Sequence, residues 1–210
     1  MDIFRSLQDK RFGLLNLDYF LLVTAFSIMT YAFVLFTSYR FHYDAAQNGY
    51  LFMFIGIIAV VGQGVLFGRL EQSFGESRLI IAGCVMMAVA LFLMPVIGPE
   101  YGGLAALMAV GALLSLGNSL ASPAITSLAS RISNEDEQGS ALGIMQSGAS
   151  LARAIAPMIG GVLLNNAVGS MDDNTITRTF IAASGIMVMA LMVSIYAHGT
   201  LSIRDSGDAI

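Results

Sequence analysis

One arginine raises the first question about chemistry in this chain. Arg153 lies inside a long apolar run, and the residues at helical spacing around it are Gln146, Ser150 and Pro157. Extending that i, i+4, i+7, i+11 stripe adds Gly139 and Gly143 on one side, Gly160 and Gly161 on the other. One helix face is thus small or polar, while Ile144, Leu151, Ile155, Ile159 and Leu163 fill the rest. With about 1.5 Å of rise per residue, Arg153 stands about 21 Å from Gly139, near the middle of a bilayer. A guanidinium at that depth costs about 2.5–3.5 kcal/mol on insertion scales. It must therefore face protein, water or an anion. Two readings stand open. Arg153 lines a cavity where it meets a substrate or a proton-coupled partner, or it binds helix-end carbonyls or polar groups of a neighbouring span.

Other polar residues fall in weaker stripes. Thr24, Ser27 and Tyr31 share a face in the first apolar run, and Gln63 stands seven residues after Gly56 in the second. The fourth carries Gly111, Ser115, Asn118 and Ser122, followed by Pro123. Each can hydrogen-bond a neighbouring helix. Together they describe a weakly polar interior suited to a substrate or ion path. No Asp or Glu is expected deep in any run; Asp18 reads as a cap or interface residue at the start of the first. A proton-coupled carrier normally uses an intramembrane carboxylate that titrates, and this sequence supplies none by that reading.

Enzyme chemistry finds no support. No His/Cys/carboxylate cluster, no phosphate-cradling glycine loop followed by Lys, and no Ser/His/Asp set meeting on one membrane face is expected from the sequence. The single cysteine, Cys84, reads as a small apolar packer. His42 and His198 lie near opposite ends of spans, so neither a metal site nor another cofactor is expected. An acidic pI near 5.0 and no basic cluster beyond Arg5, Lys10 and Arg11 argue against nucleic-acid binding.

The elements that must position these residues follow from composition. The chain of 210 residues is 56% hydrophobic and 11% charged, where a soluble domain is about 25% charged. Six stretches are each apolar for roughly 20 residues, the length a helix needs to cross the hydrocarbon core. Membrane strands would alternate in polarity, and these runs do not. The fold class is all-α, a polytopic membrane protein, with spans at residues 17–37, 49–67, 79–97, 103–122, 141–164 and 179–197. Residues 1–16 form a leader, in which Ile3, Phe4, Leu7 and Leu14 give either one face of an interfacial helix or a frayed basic segment. Residues 17–198 form the membrane domain and 199–210 a tail. Basic residues prefer the cytoplasmic side. With the N-terminus inside, the inner segments hold Arg5, Lys10, Arg11, Arg69, Arg78, Arg131 and Arg204, the outer ones only Arg40 and Arg178. Both termini are expected in the cytoplasm. The pairs Gly64/Gly68 and Gly139/Gly143, and the Gly111, Ser115, Ser119 series, are expected to let helix backbones approach closely.

Several segments together resemble a known family. They are Gln63-Gly64-Val65-Leu66-Phe67-Gly68-Arg69-Leu70, then Phe74-Gly75-Glu76-Ser77-Arg78-Leu79; Pro123-Ala124-Ile125-Thr126-Ser127-Leu128; Glu137-Gln138-Gly139; and Leu151-Ala152-Arg153, Ala156-Pro157, Gly160-Gly161. In order and spacing they are similar to the C-terminal six-helix half of a major facilitator superfamily transporter, nearest to tetracycline and drug/proton antiporters. The resemblance implies a half that pairs with an N-terminal half around a cavity opening alternately to each side. It assigns a conformational loop motif to Gly64, Arg69, Gly75 and Arg78, with Gly68 where the family carries an acidic residue. It also assigns a helix-packing motif to Pro157, Gly160 and Gly161, with Ala156 in place of a glycine. By analogy the first and fourth spans line the cavity, placing Thr24, Ser27, Tyr31, Ser115 and Asn118 on the substrate path. The second and fifth face the other half, with Gln63, Gln146, Ser150 and Arg153 there.

Two functions compete. In the first, the chain is half of a secondary active drug or small-molecule efflux transporter, working with lipid, a small-molecule substrate and protons. Its partner is the N-terminal half or a second copy, and Met1 is either a true start or an internal methionine of a longer gene. In the second, it is a non-transporting membrane scaffold or assembly factor of the same fold. A bacterial plasma membrane is expected on the resemblance alone.

Overall fold

The computed structural model describes residues 10–165 and 170–205. The interfacial face at Ile3, Phe4 and Leu7 lies outside the described residues. Six long helices follow one another: α1 Lys10–Phe41, α2 Ala45–Phe74, α3 Glu76–Leu93, α4 Gly103–Ile132, α5 Gln138–Leu164 and α6 Asp173–Asp205. Each is long and apolar enough to cross a membrane, and no strand occurs among the described residues.

Most helices run past the apolar stretches that mark them. Lipid selects the apolar stretch, but a helix continues until its backbone is capped or turned. Between α1 and α2, His42 takes a left-handed φ of 56°, and Asp44 begins α2 with a capping box. The Asp44 carboxylate accepts from the Gln47 amide at 2.8 Å, and the Gln47 side chain accepts from the Asp44 amide at 2.9 Å. Two otherwise orphaned N–H groups are satisfied in this way. Between α2 and α3 the chain turns at Gly75, with φ 75° and ψ 160°, a conformation in which only glycine is unstrained. Inside α2, residues Gly62–Phe67 form a π-helical segment, which shifts the facing of everything after it.

Small residues decide the packing. α3 and α4 pack most closely against each other, α1 lies against α5 and α6, α6 also meets α3, and α2 rests chiefly on α4. The α3–α4 crossing is built on Gly83 and Gly117: a Cβ at Gly83 would stand 2.5 Å from the Gly117 carbonyl oxygen. α5 turns an alanine-rich face inward, with Ala141, Met145, Ala149, Ala152, Ala156 and Gly160 buried. Around these contacts lie fully buried large side chains, among them Phe33, Phe36, Met87, Leu114 and Phe180, with Phe36 and Phe180 edge to face at 5.5 Å. Lipid tails are as apolar as leucine, so dispersion and close backbone approach hold this core together rather than exclusion from water.

The glycine pairs singled out by spacing behave differently from expectation. A Cβ at Gly64, Gly68, Gly139 or Gly143 would meet nothing within 4 Å. Spacing shows that a face is small; it does not show which face a neighbour covers. These four open onto the outside of the six-helix unit.

Arginines close one end of the bundle. Arg40 donates to the carbonyls of Pro95 and Ile97, the latter at 3.1 Å, and pairs with Asp173 at 2.6 Å. It ties α1 to the α3–α4 turn and to the start of α6. Arg178 donates to the carbonyls of Val162, Leu163 and Asn165, satisfying the end of α5, where a cation also suits the helix dipole.

Candidate functional site

The fifth helix divides sharply. Its alanine face is buried, and its polar stripe is not: Gly139, Gly143, Gln146, Ser150, Arg153 and Pro157 are all exposed. Ser150 donates back to the Gln146 carbonyl at 2.8 Å. Pro157 has no N–H, so the carbonyl four residues earlier, that of Arg153, loses its intrahelical donor. A charged donor and a freed acceptor therefore arise at one level of an exposed helix face. Arg153 belongs to neither the Arg40–Asp173 nor the Arg131–Glu76 ion pair. Among the described residues, no polar group of a neighbouring span reaches it.

The second helix forms the other flank. It is the least buried of the six, with 11% of its most apolar window enclosed, against 56% for α1 and α3. Gln63, Gly56 and Gly64 are exposed on it. The structure leaves Gln63 and Arg153 on separate flanks and forms no bond between them.

The remaining polar residues divide into spent and open groups. Thr24 is buried and donates to the Phe20 carbonyl of its own helix at 2.7 Å. Ser115 is buried and donates across to the Ile55 carbonyl at 2.9 Å, with Ser119 reaching the Ala59 carbonyl at 3.4 Å. Gly111 also faces Ile55, so this series on α4 is the seat of α2. Ser27 and Asn118 are half-buried, and Tyr31 is exposed. The Tyr31 ring lies on α5, where a Cβ at Gly160 would approach its Cδ1 to 2.9 Å, and one at Gly161 its hydroxyl to 3.9 Å. Gly160 and Gly161 thus make room for an aromatic ring from α1.

Of the loop-motif residues, Gly75 makes the turn, while Arg69 and Arg78 are exposed. Acidic residues absent from the sequence-derived site make the bonds here. Glu76 pairs with Arg131, and Ser127 donates to Glu71 at 3.1 Å, with Glu76 at 3.5 Å. The α2–α3 turn is thereby fastened to the end of α4. The signal available was a glutamate directly after the turn glycine and an arginine in the last turn of α4.

Asp18 also departs from expectation. α1 is described from Lys10 onward, so Asp18 lies at least eight residues, about 12 Å, inside the helix. It is fully buried, and Ser194 of α6 donates to it at 2.6 Å. The start of the apolar run was not the start of the helix.

Six membrane-length apolar helices, with a polar face left open on α5, have the make-up of an integral membrane protein. The sequence profile described as Major Facilitator Superfamily matches residues 16–203, and the chain belongs to that family. Multidrug resistance protein 2 of Bacillus subtilis (strain 168) is 28% identical over 171 residues, 80% of this chain and 40% of that protein. The class H tetracycline resistance protein of Pasteurella multocida is 23% identical over 180 residues, 86% of this chain and 42% of that protein. In structure, the chain is similar to the human organic anion transporter MFSD10 (TETRAN), with a TM-score of 0.74 and 22% identity over 87% of this chain and 40% of that one. The chain spans about two fifths of each of these proteins.

Proposed function

We propose that this chain is half of a secondary active, proton-coupled efflux transporter for drug-like small molecules, closed on its α2 and α5 side by a second six-helix unit. One observation carries this reading: a guanidinium near the middle of α5 points away from its own bundle, in a stripe with Gln146 and Ser150. Lipid is a poor neighbour for that stripe, at about 2.5–3.5 kcal/mol for the arginine alone. A protein partner or a water-filled cavity is a good one. The second unit is the N-terminal half of the same transporter or another copy of this chain, since two copies related by a two-fold axis would also give twelve spans. The names of the bacterial relatives favour drugs as substrates. In this arrangement Arg153, Gln146, Ser150 and Gln63 face the second unit, and Ser27, Tyr31 and Asn118 face the path between. The end bearing Arg69, Arg78 and Arg131 lies in the cytoplasm of a bacterial cell, with both termini. No enzymatic step is part of this reading.

The scaffold reading is favoured by a different observation. Thr24 and Ser115, two residues of the expected path, are used up in helix bonds. Proteoliposomes separate the two. The chain is reconstituted alone and with an upstream six-helix half, and uptake of a fluorescent drug is followed under a proton gradient. Transport that is lost in Arg153→Ala supports the proposal. Transport unchanged in Arg153→Ala removes that residue from the mechanism, and no transport in either arrangement leaves the scaffold.

A further inference from the structure

Asp18 stands apart from the face just described. Its carboxyl is fully buried, Ser194 donates to Oδ2 at 2.6 Å, and Oδ1 is buried with no hydrogen-bond partner. Beside it lies a cavity of about 10 Å³, walled by Asp18 and Leu15 of α1, Ser77 of α3, Leu128 of α4 and Ser194 and His198 of α6. That volume suits roughly one water molecule, which needs two to four polar partners. Asp18, Ser77, Ser194 and His198 supply them, so an Asp, Ser and His that the sequence was not expected to bring together do meet here, from helices distant in sequence.

The chemistry follows from who faces the carboxyl. A buried carboxyl must be hydrogen-bonded, and a buried charge must be paired. No Lys or Arg stands in the cavity wall. From α6 the titratable neighbour is His198, half-buried and so in reach of solvent. From α3 it is Cys84, whose sulfur lies 3.9 Å from the Ser194 hydroxyl. α4 brings only Leu128, and α5 brings nothing to the wall. The unpartnered Oδ1 thus needs a hydrogen, and the cavity and the imidazole are the means of delivering one.

We propose that Asp18, Ser194 and His198 form a proton-exchange site linked through a single cavity water. In the loading step the His198 imidazolium gives its N–H proton to the water, and the water gives one of its own to Asp18 Oδ1. The carboxylate becomes the neutral acid, the imidazole becomes neutral, and solvent recharges the imidazole. Discharge is the reverse. Ser194 holds Oδ2 and leaves Oδ1 as the oxygen without a partner. All four walls belong to this chain, so the site does not require the second unit or the transport reading.

The test is infrared difference spectroscopy of the full chain in phosphatidylcholine nanodiscs across a pH series. The expected result is one protonated-carboxyl C=O band that titrates, is lost in Asp18→Asn, and has its midpoint displaced in His198→Gln. Gel filtration and helical circular dichroism check the fold of each variant. A band pattern unchanged in Asp18→Asn overturns the site. A titration unchanged in His198→Gln overturns the route, and this variant, altered at a half-exposed position, decides the matter should Asp18→Asn fail to fold.

Discussion

Alanine at Gly83 and alanine at Gly143 should have opposite consequences, and their difference measures which faces of the bundle are already closed. At Gly83 the new Cβ would stand 2.5 Å from the Gly117 carbonyl oxygen, 2.7 Å from the Ala121 Cβ and 2.8 Å from the Ala121 nitrogen. None of these is the end of a flexible side chain, so α3 and α4 must move apart. Overpacking of this kind costs about 1–3 kcal/mol. At Gly143 the new Cβ meets nothing within 4 Å. Both substitutions gain the same helix propensity, about 1 kcal/mol over glycine, and it cancels in the difference. The two variants should therefore differ in stability by about 1–3 kcal/mol, roughly a 5- to 150-fold ratio in the unfolding equilibrium. Unfolding in mixed micelles by titration with dodecyl sulfate, followed by circular dichroism, reads this directly. Equal stability would refute the glycine crossing if both variants gain on the parent chain, and the openness of the α5 face if both lose.

Three further outcomes are expected in the same assay. Gly75→Ala forces a Cβ onto φ 75°, ψ 160° and should cost about 1–3 kcal/mol, loosening the α2–α3 turn to protease. Glu76→Gln removes the carboxylate from Arg131, whose side chain is 69% exposed; the loss should be about 1 kcal/mol or less, and the gap from the parent chain should shrink as salt is added. Arg40→Ala leaves the Pro95 and Ile97 carbonyls without their donor and Asp173 without its cation. It should cost about 1.5–3 kcal/mol, with the turn at residues 95–98 exchanging its amide hydrogens faster.

Glu71 and Glu76 suggest how the loosely seated second helix is held. Along its length α2 has the Ser115 and Ser119 hydroxyls on its carbonyls, each worth about 0.6 kcal/mol in a membrane setting. At its end it has Glu71 on Ser127, and just past Gly75 the Glu76–Arg131 pair. Much of the rest of α2 is exposed, with Met53, Ile57 and Val60 each more than half open, although Asn48, Leu51 and Gly62 are buried. The helix with the fewest internal contacts is thus held by polar bonds at both ends, since Thr37 of α1 also donates to the buried Asn48 near its start.

Apolar length made the six helices legible, because a bilayer imposes one length on every span and the sequence must satisfy it six times over. The facing of those helices was legible only where a strong cost breaks the symmetry. Arg153 was such a case, since a guanidinium excludes lipid whichever neighbour it has. Gly64 and Gly143 were not, because a small residue tolerates a helix neighbour without requiring one, and Gly83 and Gly117 made the crossing instead. Ser115 could not be told from a path residue, since a hydroxyl satisfies the next helix's carbonyl as readily as a ligand. Asp18 shows the remaining gap. Hydropathy placed it at the edge of lipid, but α1 runs at least eight residues before it, and burial came from α3, α4 and α6, which are 58 or more residues away in sequence. A carboxyl enclosed by distant helices leaves no local trace; only the three-dimensional arrangement turns an apparent cap into a group that must find a hydrogen.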